Sequence, residues 1–127
     1  MTWASLEGER MMSTVKVNPA IFHNAFWTLG KLRTDMATWG LLCPDDRKSL
    51  DYAVQKIRAE FSPYSYMTKP FEIEVERLKE LRGLFTKLGA GIYSARNVMT
   101  DDRRRALGMV KRITLDIDSY IQLNLFG

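Results

Sequence analysis

Apolar residues recur at spacings of three and four along most of this chain, in four separate runs. The runs are, in order, Ile21, Phe22, Ala25, Phe26, Leu29, Leu32 and Met36; Leu50, Ala53, Val54, Ile57 and Phe61; Val75, Leu78, Leu81, Phe85, Leu88 and Ile92; and Val110, Ile113, Ile117, Tyr120 and Ile121. This spacing places the side chains of each run on one face of an α-helix. The sequence shows no sustained apolar–polar alternation bounded by hairpin turns, so no strand is predicted. It therefore predicts an all-α fold.

Residues that start helices stand before each run, as an N-capping side chain, a proline for the first turn, or both. The predicted starts are Asn18-Pro19, Pro44-Asp45-Asp46, Lys69-Pro70 and Thr100. Trp39-Gly40 ends the first helix, and residues 62–66, which include Pro63, form a linker. We expect an antiparallel four-helix bundle over 18–121, a flexible N-terminal arm at 1–17 and an extended C-terminal peptide at 122–127.

The two halves of the chain resemble each other at an offset of 56 residues. The matches are Lys31-Leu32 with Lys87-Leu88, Asp45-Asp46-Arg47 with Asp101-Asp102-Arg103, Val54 with Val110, and Ile57 with Ile113. Two explanations stay open. Either a helical hairpin has been duplicated, or two helix starts have converged on the same capping chemistry.

Composition excludes several classes of protein. A chain of 127 residues with 46% hydrophobic and 27% charged residues is expected to form one ordinary globular domain. No run of 18 or more apolar residues predicts a membrane span, and the N-terminus lacks the order of a signal peptide. We therefore expect a cytoplasmic protein that does not enter membranes.

The chain ends with Gln122-Leu123-Asn124-Leu125-Phe126 before Gly127. This pentapeptide resembles the clamp-binding motif of bacterial replication and repair proteins, whose usual form is Gln-Leu-Ser/Asp-Leu-Phe. The resemblance implies that Gln122, Leu123, Leu125 and Phe126 bind a bacterial sliding clamp. It covers five residues, and the helical body resembles no family that we recognise.

Helical phase separates this peptide from the fourth apolar stripe. The stripe predicts its next apolar residue at position 124, which is Asn124, so Leu123, Leu125 and Phe126 lie off it. Large apolar side chains off the core stripe need another surface to bury them. That surface is a clamp, the end of the bundle, or a second copy of the chain in a homo-oligomer.

The fourth helix also carries the best candidate for a nucleic-acid surface. Its basic residues are Arg103, Arg104, Arg105, Lys111 and Arg112. The seven-residue spacing of Arg104 and Lys111 places them on one helical face, as a row of phosphate contacts requires. The formal net charge of +4 permits contact with DNA or RNA without requiring it. The alternative is a solvated face whose cations pair with Asp101, Asp102 and Asp116.

The sequence gives little support for an enzyme. Its one histidine, His23, lies beside core positions, and its one cysteine, Cys43, has no companion at metal-ligand spacing. There is no glycine-rich phosphate loop or nucleophile elbow, and we predict no cofactor and no metal.

Together these observations predict a non-enzymatic accessory or inhibitory protein that docks on a bacterial DNA sliding clamp. The origin of such a protein in a phage or plasmid is compatible with this prediction. The alternative is a basic, helical, nucleic-acid-binding subunit of a larger ribonucleoprotein or of a phage or defence complex.

Overall fold

A computed structural model describes the backbone of residues 13–126 and the side chains of residues 13–123. Its elements are strand β1 (Thr14–Val17), helices α1 (Ala20–Ala37) and α2 (Pro44–Phe61), a short 3-10 helix (Ser62–Tyr64), strand β2 (Phe71–Glu74), and helices α3 (Val75–Ser94) and α4 (Thr100–Phe126). The all-α prediction is confirmed in outline by the four helices. It omitted a small two-stranded antiparallel sheet.

The sheet corrects two predicted boundaries. Strand β1 comprises the last residues of the predicted flexible arm, and β2 occupies the predicted start of the third helix, which instead begins at Val75. Each strand alternates over only four residues, which is too short a pattern to stand out in the sequence. Tertiary packing makes these segments strands, because Val17 and Ile73 are buried against the helices. Residues 1–12 of the predicted arm lie outside the described part of the chain.

The four helices pack in a closed ring of neighbours, α1 on α2, α2 on α3, α3 on α4, and α4 on α1. The predicted stripes supply most of the core between them. Of their members only Ile21, Phe26, Ala53 and Tyr120 are half-buried, at the edge of that core. Phe61 links two helices through its ring, with centroids 5.6 Å from Phe22 and 5.4 Å from Phe85. This burial supplies the main stabilisation of the helices.

Asn18 begins α1 as the sequence predicts. Its side-chain Oδ1 accepts a hydrogen bond from the backbone N–H of Ala20 at 2.9 Å, satisfying one of the free donors at the helix start. Its own backbone N–H donates to the hydroxyl of Tyr120 on α4 at 3.2 Å. The start of α1 is therefore fixed both locally and to a helix a hundred residues later.

Burial follows the 56-residue offset along the whole described core. Within the described residues, every buried hydrophobic residue has a buried counterpart 56 positions away, apart from Leu42 and Ile121. The pairs include Phe22 with Leu78 and Phe61 with Ile117. The correspondence continues in the sheet, where Lys16 lies opposite Glu72, which is its own counterpart at this offset. The two halves thus place their side chains equivalently even where the residues differ.

Arg47 and Arg103 share one contact, a hydrogen bond to the carbonyl oxygen at the same position of each half. The Arg47 side chain donates to the carbonyl oxygens of Met36 and Trp39 at the end of α1. The Arg103 side chain donates to the carbonyl of Ala95, the counterpart of Trp39, at 2.5 Å. Each arginine lies in the first turn of one helix and donates to a carbonyl group at the end of the helix before it. The two arginines therefore match in their contacts as well as in the sequence around them, Asp45-Asp46-Arg47 and Asp101-Asp102-Arg103.

We expect Arg47→Met and Arg103→Met each to lower the free energy of unfolding by about 1–3 kcal/mol, because each leaves carbonyl groups without their donor. Urea denaturation followed by circular dichroism would measure the loss. Arg104→Met is the matched control, since the Arg104 side chain is 77% exposed and should change stability by less than about 0.5 kcal/mol. Equal stabilities for the Arg103 and Arg104 variants would contradict this role.

Candidate functional site

Both predicted sites lie on α4, whose position is set by its buried face. Asp101 and Asp102 occupy the first turn, where carboxylates favour the positive end of the helix dipole. About three turns of the helix are then held by Val110, Ile113, Ile117 and Ile121, all of which are buried. Within the described side chains, Ile121 is the last buried residue of α4.

The clamp-binding-like peptide follows directly after Ile121. Gln122 is exposed, and Leu123 is 59% exposed. The helix α4 continues through Phe126, and the extended conformation of 122–127 stays a prediction. Each residue added to a helix gains one backbone hydrogen bond, and no proline interrupts this one. The side chains of residues 124–126, and Gly127, lie outside the described residues.

The position of Ile121 determines what unwinding of the peptide would cost. Opening the helix from Gln122 onward leaves the buried stripe through Ile121 in place. Terminal turns open at a small fraction of the global free energy of unfolding.

The five basic residues predicted to contact nucleic acid fall into three groups. Arg103 is half-buried and bonded to Ala95, so its guanidinium faces the protein. Arg104 and Arg105 are exposed, and their nitrogens lie 3.6 and 3.9 Å from the carboxylates of Asp101 and Asp102.

Lys111 and Arg112 form the third group. Both are exposed, and within the described residues neither has an ion-pair partner. Of the five predicted residues, Arg103 is thus engaged with the protein, and the other four are exposed on α4.

Cavities lie beside both hairpins. One, of about 470 Å³, lies beside Phe26 and Arg58 of the first hairpin. A larger one, of about 710 Å³, lies between the end of α1 and the start of α2, with Met36, Leu42 and Leu50 among its lining residues. Its arginines are already engaged, Arg33 by Asp51 and Arg47 by backbone carbonyls. No other lining group suggests a specific ligand.

Beside the second hairpin lies an apolar groove of about 440 Å³ between α3 and α4, which was not predicted from the sequence. Leu107 and Leu115 line it. They lie off the buried stripe of α4, and that is the signal in the sequence that could have found this groove.

Away from the two predicted sites, the titratable groups Asp46 and Cys43 make structural contacts with Arg96. Asp46, at the start of α2, accepts hydrogen bonds from the backbone N–H and the Nε of Arg96 at 2.9 and 3.3 Å. The backbone N–H of Arg96, followed by its side chain and charge, lowers the pKa of Asp46 below its ordinary 3.8. Cys43 contacts the same arginine, with Sγ 3.2 Å from Nη2. Within the described residues, no group of three or more histidine, cysteine or acidic side chains could hold a metal ion.

The lowered pKa of Asp46 predicts how stability depends on pH. The folded state prefers the ionised carboxylate, so this contribution is present above pH 3.8 and is lost as pH falls through the lowered pKa. We expect Asp46→Asn to lose less stability than the parent on acidification below pH 4, measured by urea denaturation across pH. Arg96→Met keeps the backbone donor and should give an intermediate curve. Identical curves for the parent and Asp46→Asn would contradict the assignment.

Comparisons with protein-family models, with curated proteins and with solved structures found no match to this chain. Among the described residues, no helix is both long enough and apolar enough to cross a membrane.

Proposed function

We propose that this protein docks on a bacterial DNA sliding clamp through its C-terminal peptide, and that it acts there as a non-enzymatic accessory or inhibitory protein. The pattern Gln122, Leu123, Leu125 and Phe126 carries the proposal. The end of the buried stripe at Ile121 supports it, because Gln122 and Leu123 are exposed beyond the packed body.

The chemistry of the peptide suits a shallow apolar pocket. Leu125 and Phe126 would each contribute about 1.5–3 kcal/mol if fully buried on the clamp. The side-chain amide of Gln122 offers both a donor and an acceptor, which fixes the register of the bound peptide. Binding in an extended conformation requires the last turn of α4 to unwind, and this lowers the net affinity.

Docking by itself has a functional consequence. A clamp pocket filled by this peptide is closed to any polymerase that uses the same pocket. The protein would then inhibit replication if its body recruits nothing, and assist it if the body recruits another factor. Its body therefore decides between the two outcomes.

We propose further that the body consists of one strand–helix–helix unit present twice, packed as an antiparallel four-helix bundle. The shared positions of buried residues and the equivalent arginines support this reading. Only the second unit carries the peptide. Its α4 continues to Phe126, whereas α2 ends at Phe61, two residues before Pro63. One chain thus offers one docking peptide.

The nucleic-acid alternative has weaker support. Proteins whose affinity for DNA depends steeply on salt make about 6–10 contacts with its phosphate groups. Lys111 and Arg112 are the exposed cations of α4 without an ion-pair partner in the described residues. Arg104 and Arg105 are exposed as well, each beside a carboxylate, so α4 offers four exposed cations. Four are fewer than such proteins use, and we therefore place clamp docking first.

Calorimetric titration into a purified bacterial sliding clamp would test the proposal. We expect the intact protein to bind with roughly micromolar affinity, which corresponds to about −8 kcal/mol. Leu125→Ala/Phe126→Ala should abolish detectable binding, because it removes the two apolar anchors. Circular dichroism of the variant should remain that of the parent.

Leu115→Ala provides the matched control. Leu115 is also an exposed leucine of α4, 57% accessible, but it lies outside the peptide. Its replacement should leave the affinity for the clamp unchanged. Absence of binding by the intact protein, or equal binding by the double variant, would refute clamp docking through this peptide.

A further inference from the structure

The groove between α3 and α4 has an apolar floor and an open mouth. Phe85 and Gly89 line it from α3, and Leu107, Val110 and Leu115 line it from α4. The charged group among its lining residues is the exposed Lys111. Such a groove is the size and kind that receives apolar side chains from another molecule.

The first half of the chain provides an internal comparison for this groove. At the 56-residue offset, Gly89 and Leu107 correspond to Arg33 and Asp51. In the first half these two form an ion pair between α1 and α2, Nε to Oδ1 at 2.9 Å, at the edge of the 710 Å³ cavity that both line. Gln55, the counterpart of Lys111, donates to the same carboxylate at 2.9 Å. The second half has no equivalent bridge at these positions, because a glycine and a leucine cannot form one.

A second covering group is also missing from the second half. The guanidinium of Arg58 lies over the ring of Phe26, 4.6 Å from its centroid, and 3.9 Å from the position a Cβ would take at Gly30. Its counterpart is Thr114, whose hydroxyl instead donates to the carbonyl of Val110 at 2.9 Å. The second half therefore lacks both of the polar groups that lie at the equivalent positions of the first half. The first hairpin has cavities of its own beside those groups, of about 710 and 470 Å³.

Exposed residues around the groove indicate the chemistry of its occupant. Leu115 is 57% exposed, and Tyr93, one turn beyond Gly89 on α3, is 72% exposed. Lys111 gives the α4 side of the groove a positive charge. Arg104, two turns before it on the same face of α4, is 77% exposed and lies 3.6 Å from the carboxylate of Asp101. No carboxylate lines the groove within the described residues. This face favours an occupant with apolar side chains between negative charges.

We propose that the α3/α4 groove binds an amphipathic, acidic α-helix of another protein. The helix would place its apolar side chains on Leu107, Val110 and Leu115, and its carboxylates beside Lys111 and Arg104. A second copy of this chain fits less well, because a symmetric contact of the groove with itself would bring the two copies of Lys111 together. Nucleic acid fits less well because the floor offers apolar surface where phosphates need donors.

The test uses the full-length protein, labelled with nitrogen-15, and a stapled helical peptide of leucine and glutamate about four turns long. We expect saturable shifts in the amide resonances of Gly89, Lys111 and Leu115. A peptide with glutamine in place of glutamate should bind more weakly. The Leu125→Ala/Phe126→Ala variant should bind the peptide like the parent, which separates this site from clamp docking.

The first half of the chain supplies the matched variant. Gly89→Arg/Leu107→Asp reproduces the Arg33–Asp51 bridge in the second half and should weaken binding about tenfold or more. The arginine fits, because a Cβ at Gly89 would lie 3.5 Å from Val110 Cγ1, an ordinary contact. Lys111→Glu, a single change at an exposed position, should weaken binding of the glutamate peptide but not of the glutamine peptide.

Three results would overturn the proposal. The first is the absence of saturable shifts at the groove with the glutamate peptide. The second is unchanged binding by both the bridged variant and Lys111→Glu. The third is a set of groove shifts produced by single-stranded oligothymidylate and not by the peptide, which would assign the surface to nucleic acid.

Discussion

Burial of four apolar stripes in one shared core is the interaction on which the rest of this structure depends. No stripe can be buried by its own helix, so each helix needs its two neighbours in the ring. The strands pair only because Val17 and Ile73 are drawn into the same core. This packing sets the positions of the helix ends and of the grooves beside the hairpins.

The two halves pack equivalently, so their charged residues can be compared position by position. The comparison shows that these residues have different roles. Arg47 and Arg103 satisfy carbonyl groups at the ends of helices, so they belong to the framework. Arg33 and Arg58 cover the surface of the first hairpin. Lys111 covers nothing, because its half lacks the partner that Asp51 provides. A difference between two equivalent positions is therefore more informative about binding than the number of charges.

Much of the fold was predictable from the sequence, and the reasons differ from element to element. The first two helices begin close to the predicted residues, because Asn18, Pro19 and Pro44 act through local backbone chemistry. The sheet was missed because four-residue strands carry almost no pattern of their own. The role of Arg103 was also missed, since a row of arginines on a helix has the same sequence whether it faces phosphates or backbone carbonyls.

The sequence by itself determined the four helical stripes, the 56-residue correspondence and the clamp-binding-like peptide, because each depends on residue type and spacing along the chain. The tertiary structure alone decided which cations are engaged, where β1 and β2 pair, and where the groove between α3 and α4 lies. Those outcomes depend on contacts between residues far apart in sequence, such as Arg33 with Asp51 and Asn18 with Tyr120. Spacing along the chain carries no information about such contacts until the helices have packed.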